Sequence, residues 1–133
     1  MQGLHLTADL SGCPAGAPVM TDAHALEQLC LRAVREAGLT PVGQLFHAFA
    51  QTAAPPTAGP GGVTGLVLLS ESHLAVHTWP ERGEVTLDVY VCNLGRDNGP
   101  QAQALLARLL QAFGPSAVRQ QQLRRGAPPP EPC

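Results

Sequence analysis

The segment Ser70-Glu71-Ser72-His73-Leu74-Ala75-Val76-His77 gathers two hydroxyls, a carboxylate and two imidazoles within eight positions, and the only tryptophan, Trp79, follows closely. The apolar run before it, Val63 to Leu69, reads as a buried strand. Polar groups that continue such a strand cost free energy unless they are paired. Local hydrogen bonding, a metal or catalysis must therefore account for them. His73 and His77 have the four-residue spacing of a helical zinc site. The segment alternates like a strand, however, where four residues span about 13 Å, and no second His- or Cys-rich cluster supports a metal. A hydrolytic serine in a nucleophile elbow needs flanking glycines, which Glu71-Ser72-His73 lacks. A Ser–His dyad rests on composition alone. Taken singly, each polar residue also fits a hydrogen-bonded strand position.

The neighbouring strand sharpens the choice. Pro80-Glu81-Arg82-Gly83 is a turn, and Glu84 to Cys92 alternates cleanly, with Val85, Leu87, Val89 and Val91 on one face. A hairpin centred on Arg82 sets Val76 against Asp88, Leu74 against Tyr90 and Ser72 against Cys92. A hydroxyl opposite a thiol, where a strand ends and a loop opens, has the character of a site. His77 has the opposite parity to Ser72, so a bulge or break would be needed to bring it there.

The remaining elements form the scaffold. Leu4–Leu10 reads as a first strand. Asp22 is placed to cap a helix whose apolar face is Leu26, Leu29, Cys30, Ala33, Val34 and Ala37, ending at Gly38. Pro41–Phe49 is a second strand, and Ala50–Gly62, rich in proline and glycine, is a connection. A second helix begins at Asn98 or Gly99 with Pro100 in its first turn. It repeats the apolar spacing at Ala102, Leu105, Leu106, Leu109, Leu110 and Phe113. Ser116–Leu123 reads as a polar edge strand. Two helices on one face of a mostly antiparallel sheet make an α+β two-layer sandwich. The expected organisation is one domain over residues 1–125, with 126–133 a disordered tail.

Composition narrows the function classes. The 133 residues are 44% hydrophobic and 14% charged, with a net charge of −2, which suits one globular domain. No basic stripe favours nucleic acid, and Arg119, Arg124 and Arg125 read as a solvated edge. There is no signal-peptide pattern at the N-terminus and no apolar stretch of membrane-spanning length. The expectation is a cytoplasmic protein without membrane or nucleic-acid partners. Cys13, Cys30, Cys92 and Cys133, widely spaced, read as free thiols.

The segment Ser70–Glu81 closely resembles the self-processing segment of the prokaryotic S-adenosylmethionine decarboxylases, small pyruvoyl-dependent enzymes. The likeness extends to Gly3-Leu4-His5-Leu6, Asp9-Leu10 with Cys13, Phe46-His47-Ala48-Phe49, Gly62-Val63-Thr64-Gly65 and Leu87-Asp88-Val89-Tyr90-Val91-Cys92. The resemblance implies a proenzyme that cleaves itself between Glu71 and Ser72. The products would be a β chain, 1–71, and an α chain, 72–133, that carries a pyruvoyl group made from Ser72. That group would form a Schiff base with the substrate amine and act as the electron sink for decarboxylation. The resemblance further implies that Thr64 and His77 support processing and that Cys92 donates a proton to the substrate carbon. Phe49 would stack on the adenine and Glu81 would bind the ribose. It implies a homodimer with sites near the interface and a role in spermidine synthesis. The chain departs from the family pattern at Trp79-Pro80-Glu81-Arg82-Gly83-Glu84, at Val91-Cys92-Asn93 and in its longer Ala50–Gly62 connection. These positions lie toward the expected nucleoside side, so ornithine or arginine as substrate stays open. A non-catalytic paralogue is disfavoured by the joint presence of Ser72, His77 and Cys92.

Overall fold

A computed structural model of the chain describes residues 1–50 and 59–127. The elements run β1 (Gln2–Ser11), α1 (Pro18–Thr21), α2 (Ala23–Glu36), β2 (Pro41–Ala48), β3 (Val63–Leu69), β4 (Ser72–Trp79), β5 (Glu84–Cys92), α3 (Gly99–Phe113) and β6 (Ala117–Gly126). The six strands form one antiparallel sheet in the order β2-β3-β4-β5-β1-β6. The expected α+β sandwich is present, with the short α1 added to the two expected helices. The polar edge strand runs further than Leu123, to Gly126, because β6 pairs with β1 along its whole length. The rest of the expected tail, 128–133, lies outside the described residues, as does most of the Ala50–Gly62 connection.

One face of the sheet is covered. Val63, Val67 and Leu69 of β3, Leu74 and Val76 of β4, and Val85, Leu87, Val89 and Val91 of β5 are buried on it. They form one core with Leu26, Cys30 and Val34 of α2 and with Leu105, Leu109 and Phe113 of α3. Burial of such side chains is the main stabilising term. Asp22 accepts hydrogen bonds from the N–H groups of His24 and Ala25, which caps α2. Gly38 and Gly114 adopt positive φ where α2 and α3 end. Gly65 is required by a close approach instead: a Cβ there would stand 2.1 Å from the ring of Phe46, its partner across the β2–β3 ladder.

One buried hydroxyl interrupts this face. Thr78 Oγ1 donates to the carbonyl of Met20 and accepts from the N–H of Val63, both at 2.8 Å. It thereby ties β4 to α1 and to the start of β3. The opposite face of the sheet carries no helix among the described residues. Thr64, Leu66 and Leu68 of β3, His73, Ala75, His77 and Trp79 of β4, and Asp88, Tyr90 and Cys92 of β5 belong to it by strand parity.

Candidate active site

Glu71 and Ser72 sit where β3 turns into β4. Leu69 pairs with Ser72, so Ser70 and Glu71 alone form the loop of a tight hairpin. Glu71 has φ of 54°, the single non-glycine residue with positive φ among the described residues. For an L-residue this conformation costs roughly 1–2 kcal/mol. The strain therefore falls on the residue whose carbonyl forms the Glu71–Ser72 bond. Cutting that bond would leave the β3–β4 ladder intact, because no ladder pair includes Ser70 or Glu71.

Ser72 Oγ accepts a hydrogen bond from the main-chain N–H of Cys92 at 2.9 Å. The hydroxyl and the thiol-bearing residue are thus neighbours, as expected, though through a different register. The strands pair Val76 with Leu87, Leu74 with Val89 and His73 with Tyr90. The expected pairing is wrong by one position, because the loop between β4 and β5 holds four residues, Pro80 to Gly83, and its centre lies between Glu81 and Arg82. Cys92 is buried, at 7% exposure. Its carbonyl accepts from Asn98 Nδ2 at 2.8 Å, so its main chain is held on both sides.

Thr64 Oγ1 and His77 Nδ1 lie 3.0 Å apart as a cross-strand pair. They do not meet Ser72. The β4 ladders are continuous from Ser72 to Trp79, and the bulge that would have brought His77 round is absent. Five residues of strand separate Ser72 from His77 by about 16 Å. Phe49 and Glu81 lie at the His77 end. Phe49 follows the Ala48–Val63 pair, and its ring meets that of His47 at 4.6 Å. Glu81 is exposed in the loop after β4. Trp79 stands half exposed beside His77, with ring centroids 6.0 Å apart. It is therefore not packed in the core. The candidate residues divide into two groups at opposite ends of one sheet.

Around Ser72 the fold assembles groups that sequence reasoning missed. A shallow depression of about 580 Å³ is lined by Val42, Leu68, Glu71, Ser72, His73, Tyr90 and Arg125, among others. Arg125 places its guanidinium 5.7 Å from the centre of the Tyr90 ring and 3.4 Å from His5 Nδ1. It lies on the exposed edge strand, as expected, and from there also walls this depression. His5 Nε2 is buried without a hydrogen bond and lies 3.6 Å from Asp88 Oδ1. The ring of His73 lies against those of Tyr90 and His5. Burial first, and the neighbouring His5 second, hold the His73 imidazole below its ordinary pKa, while Asp88 opposes them. The signal for this group was the long-range adjacency of β1, β5 and β6, which no local pattern carries. No metal-binding group of three or more His, Cys, Asp or Glu occurs among the described residues. Cys13, Cys30 and Cys92 are free thiols, and burial pushes Cys30 up to about 12.

The chain matches the protein family described as S-adenosylmethionine decarboxylase over residues 4–126. The S-adenosylmethionine decarboxylase proenzyme of Picrophilus torridus is 34% identical over 125 residues, 94% of this chain and 85% of that one. The proenzyme of the same name from Carboxydothermus hydrogenoformans is 41% identical over 90 residues, 68% of this chain and 62%, under two thirds, of that one. The crystal structure of the adenosylmethionine decarboxylase from Aquifex aeolicus VF5 superposes with a TM-score of 0.80 at 30% identity, covering 98% of this chain and 96% of that one.

Proposed function

The chain belongs to the S-adenosylmethionine decarboxylase family, and on that premise we propose that it is a self-processing, pyruvoyl-dependent carboxy-lyase acting on S-adenosylmethionine. The observation that carries the reading is the Glu71–Ser72 junction: a left-handed Glu71 in a tight turn, followed by a hydroxyl that accepts the Cys92 N–H at 2.9 Å.

In processing, Ser72 Oγ attacks the Glu71 carbonyl. A C–O bond forms, the C–N bond breaks, and the hydroxyl proton passes to the Ser72 nitrogen. The Cys92 N–H stabilises negative charge on Oγ as that proton leaves. Opening of the turn also relieves the Glu71 backbone. Loss of the Ser72 Cα proton expels chain 1–71 as a carboxylate that keeps the former Oγ, and water converts the remaining dehydroalanine to the ketone with release of ammonia. The site fits the resulting group: the new α-chain terminus stays fixed at the head of β4, beside Cys92 and the depression walled by His73, Tyr90 and Arg125. The pyruvoyl ketone supplies an electron sink for the pair released with CO₂. Cys92 is the donor that returns a proton to the substrate carbon.

Thr64 and His77 are assigned to the tetrahedral intermediate and to removal of the Cα proton. With His77 about 16 Å from Ser72 along β4 and Thr64 its partner on β3, they act on the Ser72 of a second copy. The helix-free face supports pairing of two copies: it exposes Leu45, Leu66 and Leu68 beside the Thr64–His77 pair, and buried apolar area drives association. A two-fold dimer through this face would combine the Ser72–Cys92 end of one protomer with the Thr64, His77, Phe49 and Glu81 end of the other. Phe49 and Glu81 then serve the adenine and the ribose. The product would be an aminopropyl donor for spermidine synthesis. No described helix is long and apolar enough to cross a membrane.

Carboxyl-labelled S-adenosylmethionine, ornithine and arginine offered to the purified protein test the substrate. Labelled CO₂ from S-adenosylmethionine is expected. Release from the amino acids alone would overturn the choice.

A further inference from the structure

The N-cap of α3 departs from the usual chemistry. An asparagine at this position ordinarily turns its side-chain oxygen toward the first free N–H groups of its own helix. Asn98 makes no such bond. Its amide points the other way, and Nδ2 donates to the Cys92 carbonyl at 2.8 Å. The Asn98 N–H is itself held by Asn93 Oδ1 at 2.9 Å, and the Asn93 N–H is held by the Gln2 carbonyl at 2.8 Å. Residues 93–98 are thus fastened to β1 at one end and to the start of α3 at the other. The Cys92 main chain lies between two contacts, its carbonyl on Asn98 and its N–H on Ser72 Oγ. The Gly99 N–H at the start of α3 is taken by Asp97 Oδ1 at 2.9 Å and Pro100 has none to offer, which leaves the Asn98 amide free to hold the Cys92 carbonyl beside Ser72.

We propose that Asn98 is a positioning residue for processing: it fixes the Cys92 main chain so that the Cys92 N–H is delivered to Ser72 Oγ. The inference rests on the self-processing reading above. Asn98 touches neither the scissile bond nor the substrate depression; it acts through Cys92. A half-buried nucleophile such as Ser72 needs its stabilising donor in place before reaction, because a donor displaced by an ångström stabilises the developing charge far less.

Asn98→Asp separates this role from a structural one. Aspartate keeps the size and turn preference of asparagine, but its carboxylate cannot donate to the Cys92 carbonyl. Cleavage of freshly made chain is followed by mass spectrometry, and thermal unfolding is measured in parallel. Hydrogen exchange at the Cys92 amide is read in a His77→Ala background, which retains Ser72. The expected result is self-cleavage slowed about tenfold or more, Cys92 exchange accelerated, and a midpoint lowered by only a few degrees. Asn98→Ala should slow cleavage likewise. Unchanged Cys92 exchange, or cleavage at the parental rate, would overturn the proposal. So would cleavage slowed only in proportion to lost stability. If the parental chain itself never cleaves, the processing reading fails, whereas the exchange measurement still reports whether Asn98 holds Cys92.

Discussion

Thr64 Oγ1 and His77 Nδ1 are 3.0 Å apart across the β3–β4 ladder, and His77 stands about 16 Å down β4 from the serine that both are assigned to serve. A dimer that joins the two ends predicts complementation. Ser72→Ala and His77→Ala chains, expressed separately, should each remain intact. Expressed together, they should yield one cleaved site per mixed dimer, always in the His77→Ala chain, which keeps its own Ser72. Mass spectrometry of the purified mixture distinguishes the chains. Absence of any cleaved His77→Ala chain would contradict the shared site.

The left-handed Glu71 predicts a measurable strain. In a Ser72→Ala background, which cannot cleave, Glu71→Gly should stabilise the intact chain by about 1 kcal/mol, because glycine adopts positive φ without steric cost. Urea unfolding of the two proteins gives the difference. With Ser72 present, the same substitution should slow cleavage, since less strain is released when the turn opens.

Thr78→Val should be costly although its shape is conserved. The substitution leaves the Met20 carbonyl and the Val63 N–H without their buried partner. A loss of about 2–3 kcal/mol in denaturant unfolding is expected. Thr78→Ser, which keeps the hydroxyl, should retain most of it.

His73 predicts the sign of one pH effect. Its folded pKa lies below the ordinary imidazole value of 6.5, chiefly through burial and then through His5. Between the two values the unfolded chain binds more protons, so stability rises with pH there. Its contribution is complete above about 6.5 and is lost as pH falls through the lowered folded value. His5, Asp88, Tyr90 and Arg125 face it, so the slope belongs to the group. Unfolding midpoints of the Ser72→Ala chain from pH 8 to 5 should decline, and His73→Gln should flatten the decline.

Much of this was legible before the fold was known. Both long helices kept their apolar faces, and α2 kept its Asp22 cap, since those patterns are local. Ser72 and Cys92 came together because a hairpin relates them through one short loop. The register missed by one residue because an even-membered loop was read as centred on Arg82, and a hairpin turns such an error into an offset along the whole ladder. The separation of His77 from Ser72 was implicit in strand parity and spacing, but the expected bulge concealed it. Arg125, Tyr90 and His5 were invisible as a group because β1 meets β5 and β6 from distant parts of the chain. Asn98 read as an ordinary cap, and only the direction of its amide shows otherwise.

The central claim is that Glu71–Ser72 is a scissile bond whose serine becomes the cofactor. Intact-mass analysis of the purified chain tests it most directly. Two fragments are expected, 1–71 and 72–133, the second carrying the mass of an N-terminal pyruvoyl group, with Ser72→Ala leaving one intact chain. A stable single chain with Ser72 present, indistinguishable from the Ser72→Ala protein, would contradict it.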